Sequence, residues 1–556
     1  MTSKLAIFFH SDAVEGDGKD LVGRRSSGKS FLKGFLEHST HDPVRAFVSS
    51  PDASEGFEQA ARACGERRGL QVSSLRSEKD WTDAGAIVFP GPGYLDATWR
   101  RQHFDPTACS LIGITHTVST RRVMTGLHNL LLEPVEPWDA IICTSRAVQS
   151  VVERQMGLSV EFIKQRFGAT RVTVPQLPVI PLGINAEDFR HSPRARAAMR
   201  KTYDAPDDAV VVMTMGRLTV VEKANPVPLF LALEEVAQKT GKPVHLWMVG
   251  WASRQSEMTL HKDGSRLCPS VKVSFIDGRD PQVRRDIWSG ADIFTLPVDN
   301  IQETFGLVPV EAMAAGLPVV MPDWNGFRDT VVDGTTGFLI PTAMPAPGSD
   351  AGARLARRFA AGTDGYLSHL SIVQQQTQID MRRYVAALAD LVANPDLRKT
   401  MGQAGHDHVS AKFDWSKIIP QYQALADDLA KMRTSAKVTS PRFASGPINP
   451  LEVDPFDLYA GYPTGTVDAD TLVTPRAQLH APKLAELDQV NGRKLYKRKM
   501  MPDAKVIAVS AWLAENGPAT VADIGQGTGI NSAVVTASVL FLAKYDFVAL
   551  TVLKPN

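Results

Sequence analysis

Short apolar runs recur along this chain in two sets of six, each separated from the next by an amphipathic or polar stretch. The first set is Leu5–Phe9, Arg45–Val48, Ala86–Phe89, Leu111–Thr115, Ala140–Thr144 and Val179–Leu182. The second is Ala209–Met215, Val244–Val249, Val271–Ile276, Ala291–Leu296, Pro318–Met321 and Gly337–Ile340. A run this short and this apolar suits a strand buried on both faces, and alternation with helices predicts a parallel sheet covered on both sides. Two sets predict two doubly wound, Rossmann-like α/β domains, each with its ligands at the carboxyl ends of its strands. The break falls in Pro181-Leu-Gly-Ile-Asn185-Ala-Glu-Asp-Phe189.

The expected domains are residues 1–190, then 191–415 with an insertion at about 342–380, then a closing helix at 416–432 that returns to the first domain. Residues 433–450 are rich in Ser, Pro, Lys and Thr and read as a linker, and 451–556 as a small, mainly helical module. A chain of 556 residues exceeds what one core can hold. The net charge of +1 gives no global pull toward nucleic acid or an anionic membrane. The four cysteines, Cys64, Cys109, Cys143 and Cys268, are scattered, which argues against a zinc site or a disulfide framework. The opening apolar run is too short for a signal peptide, and no run approaches the length of a membrane span. The expected location is cytoplasmic, with peripheral contact at the inner face of a membrane left open.

Within the second set, Glu303 and Glu311 are separated by seven intervening residues in Glu303-Thr-Phe-Gly306-Leu-Val-Pro-Val-Glu311-Ala-Met-Ala-Ala-Gly316. Phe305-Gly306-Leu307 reads as a loop opening a helix, with Pro309 in the first turn and Gly316 as its stop. Backbone N–H groups at such a helix start suit a phosphate, and carboxylates accept from sugar hydroxyls. Together they are what a nucleotide-sugar needs. An ordinary helix with one exposed and one capping glutamate fits the same spacing. Upstream, the strand Val210–Met215 ends in Gly216-Arg217-Leu218, and Lys223 follows six residues after Arg217. The guanidinium fork and the ammonium point charge match a diphosphate at a strand's carboxyl end. Two solvated surface cations would read the same way.

With these segments the sequence resembles the retaining, GT-B-type nucleotide-sugar glycosyltransferases, the large group that includes sucrose synthases and many bacterial cell-surface transferases. The resemblance covers about residues 1–432. It is carried by Glu303–Pro341, including Pro322-Asp-Trp-Asn-Gly326 and Asp333-Gly-Thr-Thr-Gly337-Phe-Leu-Ile-Pro341, and by Val179–Asn185, Gly216-Arg-Leu with Lys223, and Phe413-Asp-Trp415. It implies two domains facing across a cleft. It implies that Arg217 and Lys223, beside Gly216, hold the donor diphosphate. Glu303 and the backbone of Phe305, Gly306 and Leu307 would hold donor sugar and phosphate, and Glu311 the ribose. His116, in Leu111-Ile-Gly-Ile-Thr-His116, would face the transferred sugar; a strand-end histidine bonded to nearby backbone is the alternative. Gly28 would line the sugar cleft. Ala224 stands where relatives often have glycine, and Asp329 where a glutamate is common.

The implied chemistry is metal-independent, front-face sugar transfer with retention, from a UDP- or GDP-linked donor to a hydroxyl acceptor, with no other cofactor. The acceptor's nature, whether glycan, lipid-linked glycan, protein or small molecule, is open. The alternative is a silent sugar-nucleotide sensor or a scaffold acting through its tail.

Three further patterns read as imitations. Gly23-Arg-Arg-Ser-Ser-Gly28-Lys29-Ser30 fits the P-loop pattern, but a polar stretch separates it from the preceding strand, so a short loop feeding a helix Phe31–His38 is expected. Val521-Ala-Asp-Ile-Gly-Gln-Gly-Thr-Gly529 imitates a methyltransferase motif, with too few residues after it to complete that fold. Asp468-Ala-Asp470 imitates a metal-binding pair in a polar turn. The C-terminal order, helices at Ala504–Asn516, Ala519–Ile524 and Asn531–Lys544 then a strand Phe547–Leu553, resembles a winged helix. Its would-be reading helix holds one cation, Lys544, so an interaction or oligomerisation module is expected rather than nucleic-acid binding. The basic run Arg493–Lys499 reads as a solvated face.

Overall fold

In the computed structural model, which describes residues 3–10, 23–94, 96–440, 447–490 and 501–551, the chain divides into a unit at 1–442 and a unit at 443–556. The first unit holds two six-stranded sheets. One contains β1 (Leu5–Phe8), β2 (Val44–Val48), β3 (Leu70–Ser74), β4 (Ala86–Val88), β5 (Ser110–Ile114) and β6 (Ala140–Ile142), in the order β3-β2-β1-β4-β5-β6. The other contains β7 (Val210–Arg217), β8 (Val244–Trp251), β9 (Val271–Asp277), β10 (Ile293–Thr295), β11 (Val319–Pro322) and β12 (Gly337–Ile340), in the order β12-β11-β10-β7-β8-β9. Every pairing in both is parallel. In each sheet the strand order reverses between the first and fourth strands, which opens a crevice at their carboxyl ends.

The second set of apolar runs became strands throughout. In the first set, Val179–Leu182 did not: it joins the sheet edge by a single bridge, Cys143 to Val179. Pro178 and Pro181 lack the N–H groups that a ladder needs. The sixth strand is instead β3, a half-buried edge strand with too few apolar residues to announce itself.

The loops at the carboxyl ends of the two sheets face each other. The Ser145 hydroxyl, just past β6, donates to the Thr304 carbonyl at 2.9 Å, and the Thr304 hydroxyl donates to the His116 carbonyl at 2.5 Å. Arg146 donates through its backbone N–H and Nε to the Asp329 carboxylate at 2.7 and 2.6 Å. Two Rossmann-like halves meeting in this way are the GT-B arrangement.

The chain then crosses back. Trp415, fully buried at the start of the helix Trp415–Ser435, packs where a side chain on Gly34 or Gly183 would lie 2.3 or 2.6 Å from its ring. Its indole N–H donates to Ser30 Oγ at 2.8 Å, and its backbone pairs with Ile184. The segments Val179–Asn185 and Phe413–Trp415 are thus one packing unit. At the far end of the helix Arg433 donates to the Gly85 carbonyl and the Ser110 hydroxyl. Thr439 and Ser440, in the segment read as linker, donate to the Glu136 carboxylate.

Residues Gly23–His38 form one helix, so the Gly28-Lys29 segment is helical and not a loop. A P-loop needs its glycines outside the helix, wrapped round a phosphate.

In the second unit, the strand Leu472–Pro475 pairs antiparallel with Ala519–Thr520 and Val548–Thr551. Helices Asp503–Asn516, Val521–Thr528 and Ser532–Lys544 close a core of Val473, Val506, Leu513, Ile524, Val539 and Leu542. The methyltransferase imitation is the helix Val521–Thr528, started by a Thr520–Asp523 capping box. Asp468 accepts from the Asp470 N–H and the Thr471 hydroxyl, which makes the acidic pair a turn. The Arg493–Lys499 run lies outside the described residues.

Candidate functional site

The second sheet's reversal point lies between β7 and β10, and the residues that follow these two strands converge there. Arg217 ends β7; Lys223 lies on the loop beyond; Glu303 and Gly306 lie on the loop after β10. Gly216, Arg217 and Lys223 line one small cavity of about 30 Å³ with His261, Leu296 and Pro297. A Cβ on Gly250 of β8 would lie 1.8 Å from the Gly216 carbonyl, so the neighbouring strand must be bare where β7 ends.

Lys223 Nζ donates to Glu303 Oε2 at 2.9 Å, an ion pair exposed by only 27% and 16% on its two sides. Burial alone would raise the Glu303 carboxyl. The Lys223 ammonium and the N–H groups of Thr304 and Gly306 outweigh it and hold the group below the usual carboxylate range. The loop therefore already grips an anion, and that anion is its own glutamate. Arg217 Nη1 likewise donates to Glu222 Oε2 at 3.1 Å. Asn300 fixes the lysine loop by donating to the Lys223 carbonyl, and Trp324 donates to the Asn300 carbonyl at 2.9 Å.

Gly306 starts the helix Leu307–Ala314 with φ at 81°. A Cβ there would lie 2.1 Å from the Phe327 ring. Glycine is thus demanded twice at this turn, by the left-handed backbone and by Phe327. The Phe305 side chain is buried and packs edge-on to Phe413, so only the backbone of Phe305 is offered to a ligand. Leu307 is half-buried.

The carboxyl of Glu311, on the same helix, is shifted in the opposite direction to that of Glu303. Burial pushes its carboxyl up to about 7, offset in part by the Arg284 guanidinium. Two glutamates on one loop and helix are thus shifted in opposite directions, because one has a lysine and amides beside it and the other does not.

On the facing half, His116 Nε2 donates to the Pro90 carbonyl at 3.0 Å, the backbone bond that the plainer sequence reading allowed for. In a neutral ring that bond assigns the proton to Nε2. His116 shares a cavity of about 70 Å³ with Gly28, His10, Phe31, Phe89 and Trp415. Its carbonyl is the group held by Thr304, next to Glu303. The structure thus gathers Arg217, Lys223, Glu303 and Gly306 at one reversal point and brings His116 up to it. Gly28 sits deeper, in the first half.

Glu222, Asn300, Gln302 and Tyr366 were not read from the sequence. Glu222 could have been, as the acid beside Lys223. Tyr366 could not, because it arrives from the insertion. Among the described residues no group of three His, Cys, Asp or Glu side chains is placed to hold a metal ion.

Residues 209–357, from β7 into the insertion, match the family model described as Glycosyl transferases group 1. Among curated proteins, the D-inositol 3-phosphate glycosyltransferase of Nocardia farcinica is 31% identical over 196 residues, 34% of this chain and 42% of that protein. A protein of the same name from Thermobispora bispora is 26% identical over 331 residues, 58% of this chain and 65% of that protein. The chain spans less than two thirds of either relative. Among solved structures, a glycosyltransferase from Rickettsia africae aligns with a TM-score of 0.49 at 13% identity, covering 77% of this chain and 99% of that one. Anabaena HepE in complex with UDP-glucose aligns with a TM-score of 0.44 at 17% identity, covering 77% and 100%.

Proposed function

We propose that this protein is a retaining glycosyltransferase that moves a sugar from a nucleotide-diphosphate-sugar to a hydroxyl acceptor. The observation that carries the reading is the Lys223–Glu303 pair beside the Gly306 helix start, at the reversal point of the second sheet. The match of residues 209–357 to the group 1 glycosyl transferases, and the relatives named as glycosyltransferases, support it.

In this reading a diphosphate displaces the two carboxylates from the cations. Arg217 and Lys223 then face phosphate oxygens, and Glu303 turns to the hydroxyls of the donor sugar. Glu311 accepts from the ribose. In the transfer step the bond between the anomeric carbon and the phosphate oxygen breaks, and a bond from the acceptor oxygen forms on the same face. The acceptor proton passes to the departing phosphate oxygen. Negative charge grows on that phosphate, and fixed cations with a helix N-terminus stabilise it more in the transition state than before it. Closed halves keep water from the oxocarbenium-like centre. The unit at 443–556 is read as a winged-helix-like interaction module.

The test is a thermal-shift screen of nucleoside diphosphates and their sugars, followed by nucleotide release on adding acceptors. A rise in melting temperature with a UDP or GDP species, then turnover, supports the reading. No shift with any of them refutes it.

A further inference from the structure

Residues 342–380 form an excursion that leaves after β12 and returns through a short antiparallel pair, β13 (Thr342–Ala343) with β14 (Gln378–Ile379). It carries two helices, Asp350–Ala360 and Tyr366–Gln374. Its foot is in the second half. Buried Gln374 uses both hydrogens of its amide nitrogen, donating to Asp299 Oδ1 at 2.6 Å and the Val220 carbonyl at 2.7 Å. Its far end lies against the first half. Arg121 Nη2 donates to the Phe359 carbonyl at 3.2 Å, with the guanidinium 5.1 Å from the centre of the Phe359 ring.

Tyr366 lies between these two attachments. Its hydroxyl is 3.2 Å from Gln302 Oε1, on the second half, and 2.8 Å from Ser119 Oγ, on the first. An amide oxygen only accepts, so the one phenolic proton goes to Gln302. Ser119 must then donate to the tyrosine oxygen, and it in turn accepts from Thr117 Oγ1 at 3.2 Å. The result is a one-way hydroxyl chain from Thr117 through Ser119 and Tyr366 to Gln302. It joins the loop that begins at His116 to the loop that carries Gln302 and Glu303. Burial raises the phenol above its ordinary value, so it remains a donor across the neutral range.

We propose that Tyr366 is a positioning residue: through it the insertion straps the His116 loop to the Glu303 loop and sets their separation when the halves are closed. The inference rests on the transferase reading only for what the cleft contains. The geometry does not otherwise depend on it. Both loops are also joined by the Thr304–His116 bond, so the strap fixes a second point and with it the orientation of the His116 loop.

The test compares the full chain with Tyr366→Phe, which keeps the ring and removes only the hydroxyl. Hydrogen exchange of the segment 116–123 is expected to rise about threefold or more in the variant, at an unchanged melting temperature. UDP affinity by calorimetry should stay within about twofold, because the proposed diphosphate groups lie in the second half. With UDP-glucose as the donor probe, kcat should fall about tenfold while its KM stays within about twofold. Arg121→Ala should raise exchange in the same segment and add to the tyrosine effect. Unchanged exchange in Tyr366→Phe overturns the strap, as does a KM effect without a kcat effect. Absence of UDP binding in the unsubstituted protein would count against the transferase reading instead, and leaves the exchange result to decide the strap.

Discussion

The Glu311 carboxyl offers a quantitative handle on the proposed ribose contact. With its value pushed up to about 7, roughly nine-tenths of the molecules carry a proton on it one pH unit below that point, and roughly one-tenth one unit above. A ribose diol donates two hydrogen bonds, and the ionised carboxylate accepts both better than the acid does. If only the ionised form binds well, UDP affinity should rise about tenfold between pH 6 and pH 8, or ~1.4 kcal/mol. Below neutrality binding should also release a proton, visible as a calorimetric enthalpy that depends on the buffer's ionisation heat. The second phosphate ionisation of UDP, near pH 6, contributes its own slope. Glu311→Gln isolates the protein's part, because it cannot titrate. The difference in slope between the two proteins is the measured quantity. Equal slopes would refute the assignment of Glu311 to the ribose. Folding has the opposite sign: a carboxyl raised on folding favours the native state fully below about pH 4, and that contribution is lost as pH rises through about 7. Glu311→Gln should therefore melt higher than the unsubstituted protein at pH 8, with the gap closing toward pH 5.

Arg217→Ala and Lys223→Ala should each lose about 100-fold or more in turnover, as expected when one transition-state donor is removed; near-normal transfer by either would withdraw the phosphate assignment. Lys223→Ala should also remove the ammonium that opposes burial at Glu303 and leave only the Thr304 and Gly306 N–H groups against it, moving its carboxyl upward, which carboxyl-region NMR or infrared titration would read. Gly306→Ala should lower the melting temperature by several degrees and abolish UDP binding, since left-handed backbone strain of roughly 1–2 kcal/mol adds to the clash with Phe327. Lys29→Ala should leave UDP affinity within about twofold, as calorimetry would measure; a large loss would revive the phosphate-loop reading of its helix.

The two-sheet plan was legible because strands buried on both faces must be apolar along their whole length. The exceptions have the same cause. β3 lies at an edge, half in solvent, and carries Gln71, Ser73 and Ser74, so its composition resembles a loop. Val179–Leu182 is apolar enough for a strand, but two prolines stop it from forming a ladder. At the site, the turn at Gly306 and the cations at 217 and 223 were readable because each obeys a local rule of backbone or charge. Their pairing was not. That Lys223 meets Glu303 rather than solvent, and that Arg217 meets Glu222, depends on how two loops fold over the reversal point. The opposite shifts of Glu303 and Glu311 are a matter of burial and neighbours, which spacing does not encode. Tyr366 lies furthest from view: it is more than sixty residues from Gln302 and more than two hundred from Ser119, in a segment read only as an insertion.

The return of the last helix into the first half constrains how the molecule can be divided. Trp415, Ile418 and Tyr422 have no exposed surface, and the groove that holds them belongs to residues hundreds of positions earlier. A fragment truncated after β6 would display that groove as a greasy trench, and one beginning at β7 would trail an amphipathic tail with nothing to cover it. Chimeras that exchange the second half between proteins of this fold should therefore take residues from about 191 to 414 as a cassette and leave the final helix with its original host.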